Sequence, residues 1–342
     1  MRHFSTRLAL FAGSVSLALS GVAPAMAQGD SGPPLLDPAD TGYTVRIGFP
    51  SGSRTDPASS PADIWAQHLG LFDEAFGAAD IQLEWEPFLG AGPAINEALI
   101  AGSLDIANYA DTAGILGRTA GADTSLVAID NPLTEVWLVV PADSDIQTVA
   151  DLEGRSVATI KATLPHRFLL TVLEANGLSV DDIEFINMSL PDSEAALDAG
   201  QIDAAVTLGN GAPRLFDRGY RPIASTVEYP DAAGISVFAA TNPFLAAHPS
   251  FFPVYLAIRD QAVAWAAANP EEAYQVLADA LQLTPEQAEV VQPTFDFTSA
   301  ISPEILQRIR NTDAFLVDQG LAPVPLDLEA WVNDVTAGTA TE

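Results

Sequence analysis

Five short stretches carry most of the residues able to do chemistry. They share one character: hydroxyls, glycines and isolated cations set directly after apolar runs. Pro50-Ser51-Gly52-Ser53-Arg54 offers Ser51 and Arg54, and Leu89-Gly90-Ala91-Gly92-Pro93 offers the backbone N–H groups of Ala91 and Gly92. Asp111 and Thr112 follow the run LDIANYA. Lys161-Ala162-Thr163-Leu164-Pro165-His166 offers Lys161, Thr163 and His166, and Gly209-Asn210-Gly211 offers Asn210. Glu135 stands just before the apolar run VWLVV. In open α/β sheets ligands sit beyond the carboxyl ends of strands, where helix N-termini present free N–H groups. Loops of this composition suit capture of a small polar solute, an anion above all.

Each residue also has a plainer reading. Thr163 or Asp111 caps a helix. Arg54 is a solvated loop charge, Lys161 pairs with a nearby carboxylate, His166 is a core histidine and Glu135 a surface carboxylate. The joint arrangement argues more strongly than any one member.

Catalysis finds little support. His3, His68, His166 and His248 show no metal-ligand spacing, and there is no cysteine for a thiolate site or nucleophile. Neither a Gly-x-Ser-x-Gly elbow nor a phosphate loop is present. The chain reads as a binding protein, not an enzyme, with no cofactor and no metal.

The elements that position these loops form a repeat. Residues 95–111 and 193–210 both read Ala-Leu-x-Ala-Gly-x-Leu/Ile-Asp-x-Ala, with Asp105 and Asp203 in one slot. Each alanine-rich helix stops at a glycine, Gly102 or Gly200, suited to a left-handed helix end. Upstream stand IQLEWEPF and IEFINMSL, and before them TVRIGF and SVATIK, all expected as strands. Further strands are expected at TSLVAI, EVWLVV, RPIAST and GISVFAA. Helices are expected over 61–76, 93–101, 111–120, 165–176, 191–199 and 211–218. A helical tail follows over 250–268, 270–281, 284–291, 302–319 and 327–335, packing on the first half. The fold class is α/β, with two similar lobes: 43–140 plus 232–342 form the first and 141–231 the second. The chain crosses between them near 140 and near 230, which makes a hinge.

Residues 1–27 read as an export signal: Arg2 and Arg7, an apolar stretch, then Ala25-Met26-Ala27 as a small-x-small cleavage site. Residues 28–42 read as a disordered lead-in. Without a lipid-acceptor cysteine, the exported product is expected in a periplasm, as a monomer. Fourteen basic against 45 acidic residues give a net charge of −31, which repels phosphate backbones and removes nucleic acid as a partner. Lys161 is the only lysine.

Several of these segments together resemble a known family. They are LGLFDEAFG, FLGAGPAINEALIAGSLDIANYADTA, IQTVADLEGRSVAT, LEANGLSVDDIEF, AALDAGQIDAAV and HPSFFPVYLAIRDQAVAWAAANPEEA. The chain is similar in them to the solute-binding proteins of ABC importers for aliphatic sulfonates, taurine and nitrate, which share a domain with thiamine-pyrimidine synthases. The resemblance implies a type II periplasmic binding fold. It implies a small-molecule solute, and an ABC permease in the inner membrane, with its ATPase, as partner. Family sulfonate binders carry Lys-Gly-Ser-Ser-x-His before the second-lobe helix; here Lys161, Thr163 and His166 keep three places, while Ala162 and Leu164 depart. The aromatic wall of many members is replaced by Leu208-Gly209-Asn210-Gly211. Glu135 resembles the glutamate of taurine binders and would meet an ammonium group. Closure over the solute would add Thr163, Lys161 or Arg167, and Asn210 from the second lobe. A binding lobe for a signalling receptor and a thiamine-pyrimidine synthase-like enzyme are the alternative readings; the enzyme branch carries a cysteine-rich motif that is absent here.

Overall fold

The computed structural model describes residues 34–51, 53–58, 60–209, 211–292, 297–333 and 335. The expected export signal, the first part of the lead-in and Asn210 lie outside them.

The chain opens with β1 (Tyr43–Pro50), α1 (Pro61–His68), α2 (Leu71–Phe76), β2 (Ile81–Phe88), α3 (Ala91–Ile100), β3 (Ile106–Ala110), α4 (Asp111–Thr119) and β4 (Thr124–Thr134). It continues through β5 (Val136–Val140), β6 (Ser156–Thr159), α5 (Leu164–Ala175), β7 (Glu184–Asn187), α6 (Leu190–Asp198), β8 (Ala204–Leu208), α7 (Gly211–Asp217) and β9 (Arg221–Ser225). After β10 (Gly234–Thr241) the named elements among the described residues are all helices. These helices are α8 (Asn242–Ala247), α9 (Phe251–Ala268), α10 (Pro270–Leu281), α11 (Pro285–Val291), α12 (Pro303–Asp318) and α13 (Leu328–Trp331).

Two five-stranded sheets result, ordered β2-β1-β3-β10-β4 and β7-β6-β8-β5-β9. Position by position they match. In each, three parallel strands are followed by an antiparallel strand that has just arrived from the other half: β5 enters the second sheet and β10 the first. The repeat accounts for the match. Gly102 and Gly200 end their helices at φ +70° and +65°, as a left-handed cap requires. The two equivalent aspartates then do one job. The Asp105 carboxylate accepts the Arg46 N–H of β1 at 2.9 Å, and the Asp203 carboxylate accepts the Ser156 N–H of β6 at 2.8 Å.

The first crossing corrects the expected boundary near 140. Val136–Val140 pairs with β8 on one side and β9 on the other, so the chain leaves the first sheet at Glu135. All five residues of β5 are buried. An unbroken apolar run marks a central strand but does not say of which sheet. The expected helix over 61–76 is likewise two helices, broken at Leu69–Gly70. The lead-in is fixed at its end, where Asp40 pairs with His248 Nδ1 at 2.6 Å and accepts the Ser250 hydroxyl at 2.8 Å.

Alternation along the strands fills both faces of each sheet. In the first, Val45, Ile47, Phe238 and Ala240 pack with α1, α9 and α10. Tyr109, Val237 and Ala239 turn to the opposite face with α12 and α13. The helical tail thus covers both faces of the first sheet. In the second, Val136, Leu138 and Val140 meet α5, while Trp137 and Val139 meet α6 and α7. Among the described residues no helix is long and apolar enough to cross a membrane.

Candidate functional site: the edge where both crossings leave

Register fixes where the loops go. Pro50 pairs with Phe88 and Thr159 with Asn187, so the parallel strands of each sheet end level. Thr134 pairs with Gly234 and Val136 with Leu208, so both crossings leave from these same ends. The crossings are tied together: the Val136 N–H donates to the Thr226 hydroxyl at 3.1 Å, and the Thr226 N–H to the Val136 carbonyl at 3.0 Å. Helices α4 and α5, one from each half, pack against one another here. Leu164 sits so close over Gly234 that a Cβ there would lie 2.4 Å from its Cδ2.

The expected residues divide by what they touch. Ser51 closes its own loop, its hydroxyl accepting the Ser53 N–H at 2.9 Å and donating to the Asp56 carboxylate. Arg54 is exposed on that loop. Ala91 takes φ +49° at the start of α3. Gly92 is a contact residue: a Cβ on it would stand 2.4 Å from the Ala113 Cβ, so α3 lies directly on α4. Asp111 is buried, and its carboxylate accepts the Thr112 N–H and the Thr312 hydroxyl of α12, each at 2.8 Å. Thr112 is fully buried beside it.

Glu135 is half-buried at the first crossing, and burial raises its pKa. Lys161 is exposed; its backbone N–H donates to Asn187 Oδ1 at 2.8 Å. Thr163 occupies the N-cap position of α5 in extended conformation, yet its hydroxyl donates back to the Ile160 carbonyl at 2.6 Å. No side chain caps that helix, so its first-turn N–H groups stay available. His166 is buried against the Phe185 ring and its Nδ1 accepts the Ala162 N–H at 3.4 Å. Burial, aided by Lys161, lowers its pKa to about 4, so the ring is neutral at pH 7.

Two arginines stand at the same edge: Arg167, expected there only as an alternative to Lys161, and Arg308, which lies outside the expected set. Arg167 of α5, only 4% exposed, donates from Nη1 to the Asp231 carbonyl at 3.2 Å. Its Nη2 donates to the carbonyls of Ala232 and Ala233 at 3.2 and 2.7 Å. It therefore grips the second crossing. Arg308 of α12 reaches the first crossing, donating from Nη1 to the Pro132 carbonyl at 2.6 Å. Arg167 lay in a stretch already rich in candidates; nothing local marks Arg308, which is brought in by the packing of α12 on α4.

The chemistry available is donation and charge. Among the described residues no cluster of His, Asp and Glu could hold a metal ion. The one imidazole at this edge, His166, is neutral, buried, and bonded through Nδ1 to a backbone N–H.

Comparison with known proteins agrees with the geometry. The family described as NMT1/THI5-like matches residues 62–273. A protein of Escherichia coli K12 named for binding aliphatic sulfonates is 28% identical over 241 residues, 70% of this chain and 72% of that one. An ABC transporter periplasmic binding protein of Brachyspira hyodysenteriae is 29% identical over 149 residues, 39% of this chain and 41% of its own length. Among solved structures, the alkanesulfonate-binding protein SsuA of Xanthomonas axonopodis pv. citri, bound to MOPS, superposes with a TM-score of 0.76. It is 24% identical and covers 86% of this chain and 100% of its own. The fold reaches further, to a desulfurization enzyme at TM-score 0.67 and 19% identity, covering 85% and 96%, so it does not by itself separate binding from catalysis. The fold is that of the periplasmic binding proteins, and the chain belongs to the NMT1/THI5-like family.

Proposed function

We propose that the chain is the periplasmic substrate-binding component of an ABC importer, taking a small organic anion of the sulfonate or taurine type between its two lobes. It acts as a monomer, exported with cleavage after Ala27, and delivers its solute to a membrane permease. The observation that carries this reading is the meeting of both sheets' carboxyl ends and both crossings at one edge, with the uncapped first turn of α5 and the buried Arg167 there. The relatives named for sulfonate binding support the solute class.

The solute docks first on the side of Ser51, Arg54, Ala91, Gly92, Asp111, Thr112 and Glu135. Closure adds Lys161, Thr163, His166 and Asn210 from the second lobe. A sulfonate at the first turn of α5 gains charge-assisted hydrogen bonds of roughly 1.5–3 kcal/mol each. A few of these, less ordering costs, reach micromolar affinity, near −8 kcal/mol. Because the solute bridges the lobes it stabilises the closed state selectively, as hinge closure in periplasmic binding proteins requires. Glu135 meets the ammonium of a zwitterion, which offsets the desolvation of its carboxylate.

Calorimetry against taurine, butanesulfonate, nitrate and succinate tests this. One-site, micromolar binding of a sulfonate is expected, with a smaller radius of gyration in the bound state. Glu135→Gln is expected to weaken taurine about tenfold and leave butanesulfonate unchanged. Absence of heat with all four anions would overturn the reading.

A further inference from the structure

We propose that the solute's negative group is seated between Arg167 and Arg308, which makes these two guanidiniums specificity-determining residues; the inference rests on the function proposed above. Among the described residues, Arg46, Arg118, Arg155, Arg218, Arg259 and Arg310 each have a carboxylate within 4 Å. Among the described residues Arg167 and Arg308 have none, and neither do Arg54, Arg214 and Arg221, although the chain carries 45 acidic residues. Of these five only Arg167 and Arg308 keep a buried N–H with no acceptor, Nε of Arg167 and Nη2 of Arg308; the Nε of Arg259 makes no hydrogen bond either, but it has the Asp63 carboxylate at 3.0 Å. Leaving a charged donor buried and unmatched is costly, so such atoms mark a missing partner.

The two belong to different halves yet act on one another. Burial holds Arg167 below its ordinary pKa, Asp111 opposing that effect and Arg308 adding to it. Asp111 is thus the carboxylate that acts on Arg167, and its oxygens already accept from Thr112 and Thr312. Two cations against one anion leave a local excess of one positive charge in a strongly acidic protein. An acceptor-only group of single negative charge, such as a sulfonate, supplies both missing acceptors and balances the charge. Arg167 spends its terminal nitrogens on carbonyls 231–233, so an anion at Nε is tied directly to the second crossing.

The test is calorimetry with butanesulfonate on full-length mature protein and three variants. Arg308→Gln is expected to weaken binding at least about tenfold with the melting temperature unchanged, and Arg308→Lys to recover part of the loss. Asp111→Asn removes the opposing charge and is expected to tighten binding, a sign that loss of structure would not produce. Wild-type binding with unchanged affinity in Arg308→Gln, or weakened affinity in Asp111→Asn, overturns the anion seat alone. Failure of the wild type to bind butanesulfonate or any other anion of the panel overturns the function itself, and the seat with it.

Discussion

Among the described residues two arginines are buried, and their surroundings are opposite. Arg259, in the core against the first sheet, has more counter-charge than it needs. Its Nε lies 3.0 Å from Asp63, its Nη2 meets Asp130 and donates to Ser60 at 2.7 Å, and it stands over the Phe238 ring. Tyr255, Ser60 and Ser236 supply further donors to the two carboxylates. Burial alone would lower the Arg259 pKa, but Asp63 and Asp130 raise it above the ordinary value. Arg167, against the second crossing, has backbone carbonyls and one already occupied aspartate. A buried charge that is over-compensated belongs to the frame. One left short of an anion belongs to the site.

The largest expected effect tests the first half of that contrast. Arg259→Met leaves two buried carboxylates without their cation and should cost about 3–5 kcal/mol in urea denaturation. Arg167→Met should cost less, about 1–3 kcal/mol, and declare itself mainly as lost affinity. Equal destabilisation by the two would erase the distinction.

A smaller effect concerns the over-supplied cluster alone. Burial raises Asp63 to about 6, Asp130 adding to the shift and Arg259 opposing it. With a folded-state pKa above the ordinary 3.8, the native state binds this proton more tightly. The group therefore adds stability as pH falls through 6, and that contribution is lost again as pH rises through 6. Between pH 7 and 5 the gain is roughly 1 kcal/mol, and it should vanish in Asp63→Asn when denaturation is repeated across that range.

The smallest expected effect is none. Because arginine stays charged and His166 is neutral well above its pKa of about 4, solute affinity should change less than about twofold from pH 8 to pH 6. Binding that tightens on acidification would put a protonated imidazole in the site and weaken the claim made for the arginines.

Much of the architecture was legible because it is written twice. The Ala-Leu-x-Ala-Gly-x-Leu/Ile-Asp stretches announced two equivalent units, and the loops after their strands reach the edge where a ligand would bind. Legibility failed where tertiary contact decides. Apolar Val136–Val140 would suit either sheet, and only its pairing with β8 and β9 assigns it. Gly92 looked like a ligand-facing turn and is also the point where α3 rests on α4. Thr163 looked like a helix cap and instead turns back to Ile160. Arg308 sits unremarked in a helix some 140 residues beyond Arg167, and no local pattern can reveal a neighbour supplied by folding.

The paired aspartates carry a consequence of another kind. Asp105 and Asp203 staple the strands at the ends remote from the crossings, so alignment in each half is secured far from the loops proposed to meet the solute. Anchorage and taste are thereby uncoupled. Descendants of such a chain could rewrite the Ser51, Lys161 or Asn210 loops and acquire a new diet while the scaffold beneath them stayed in register.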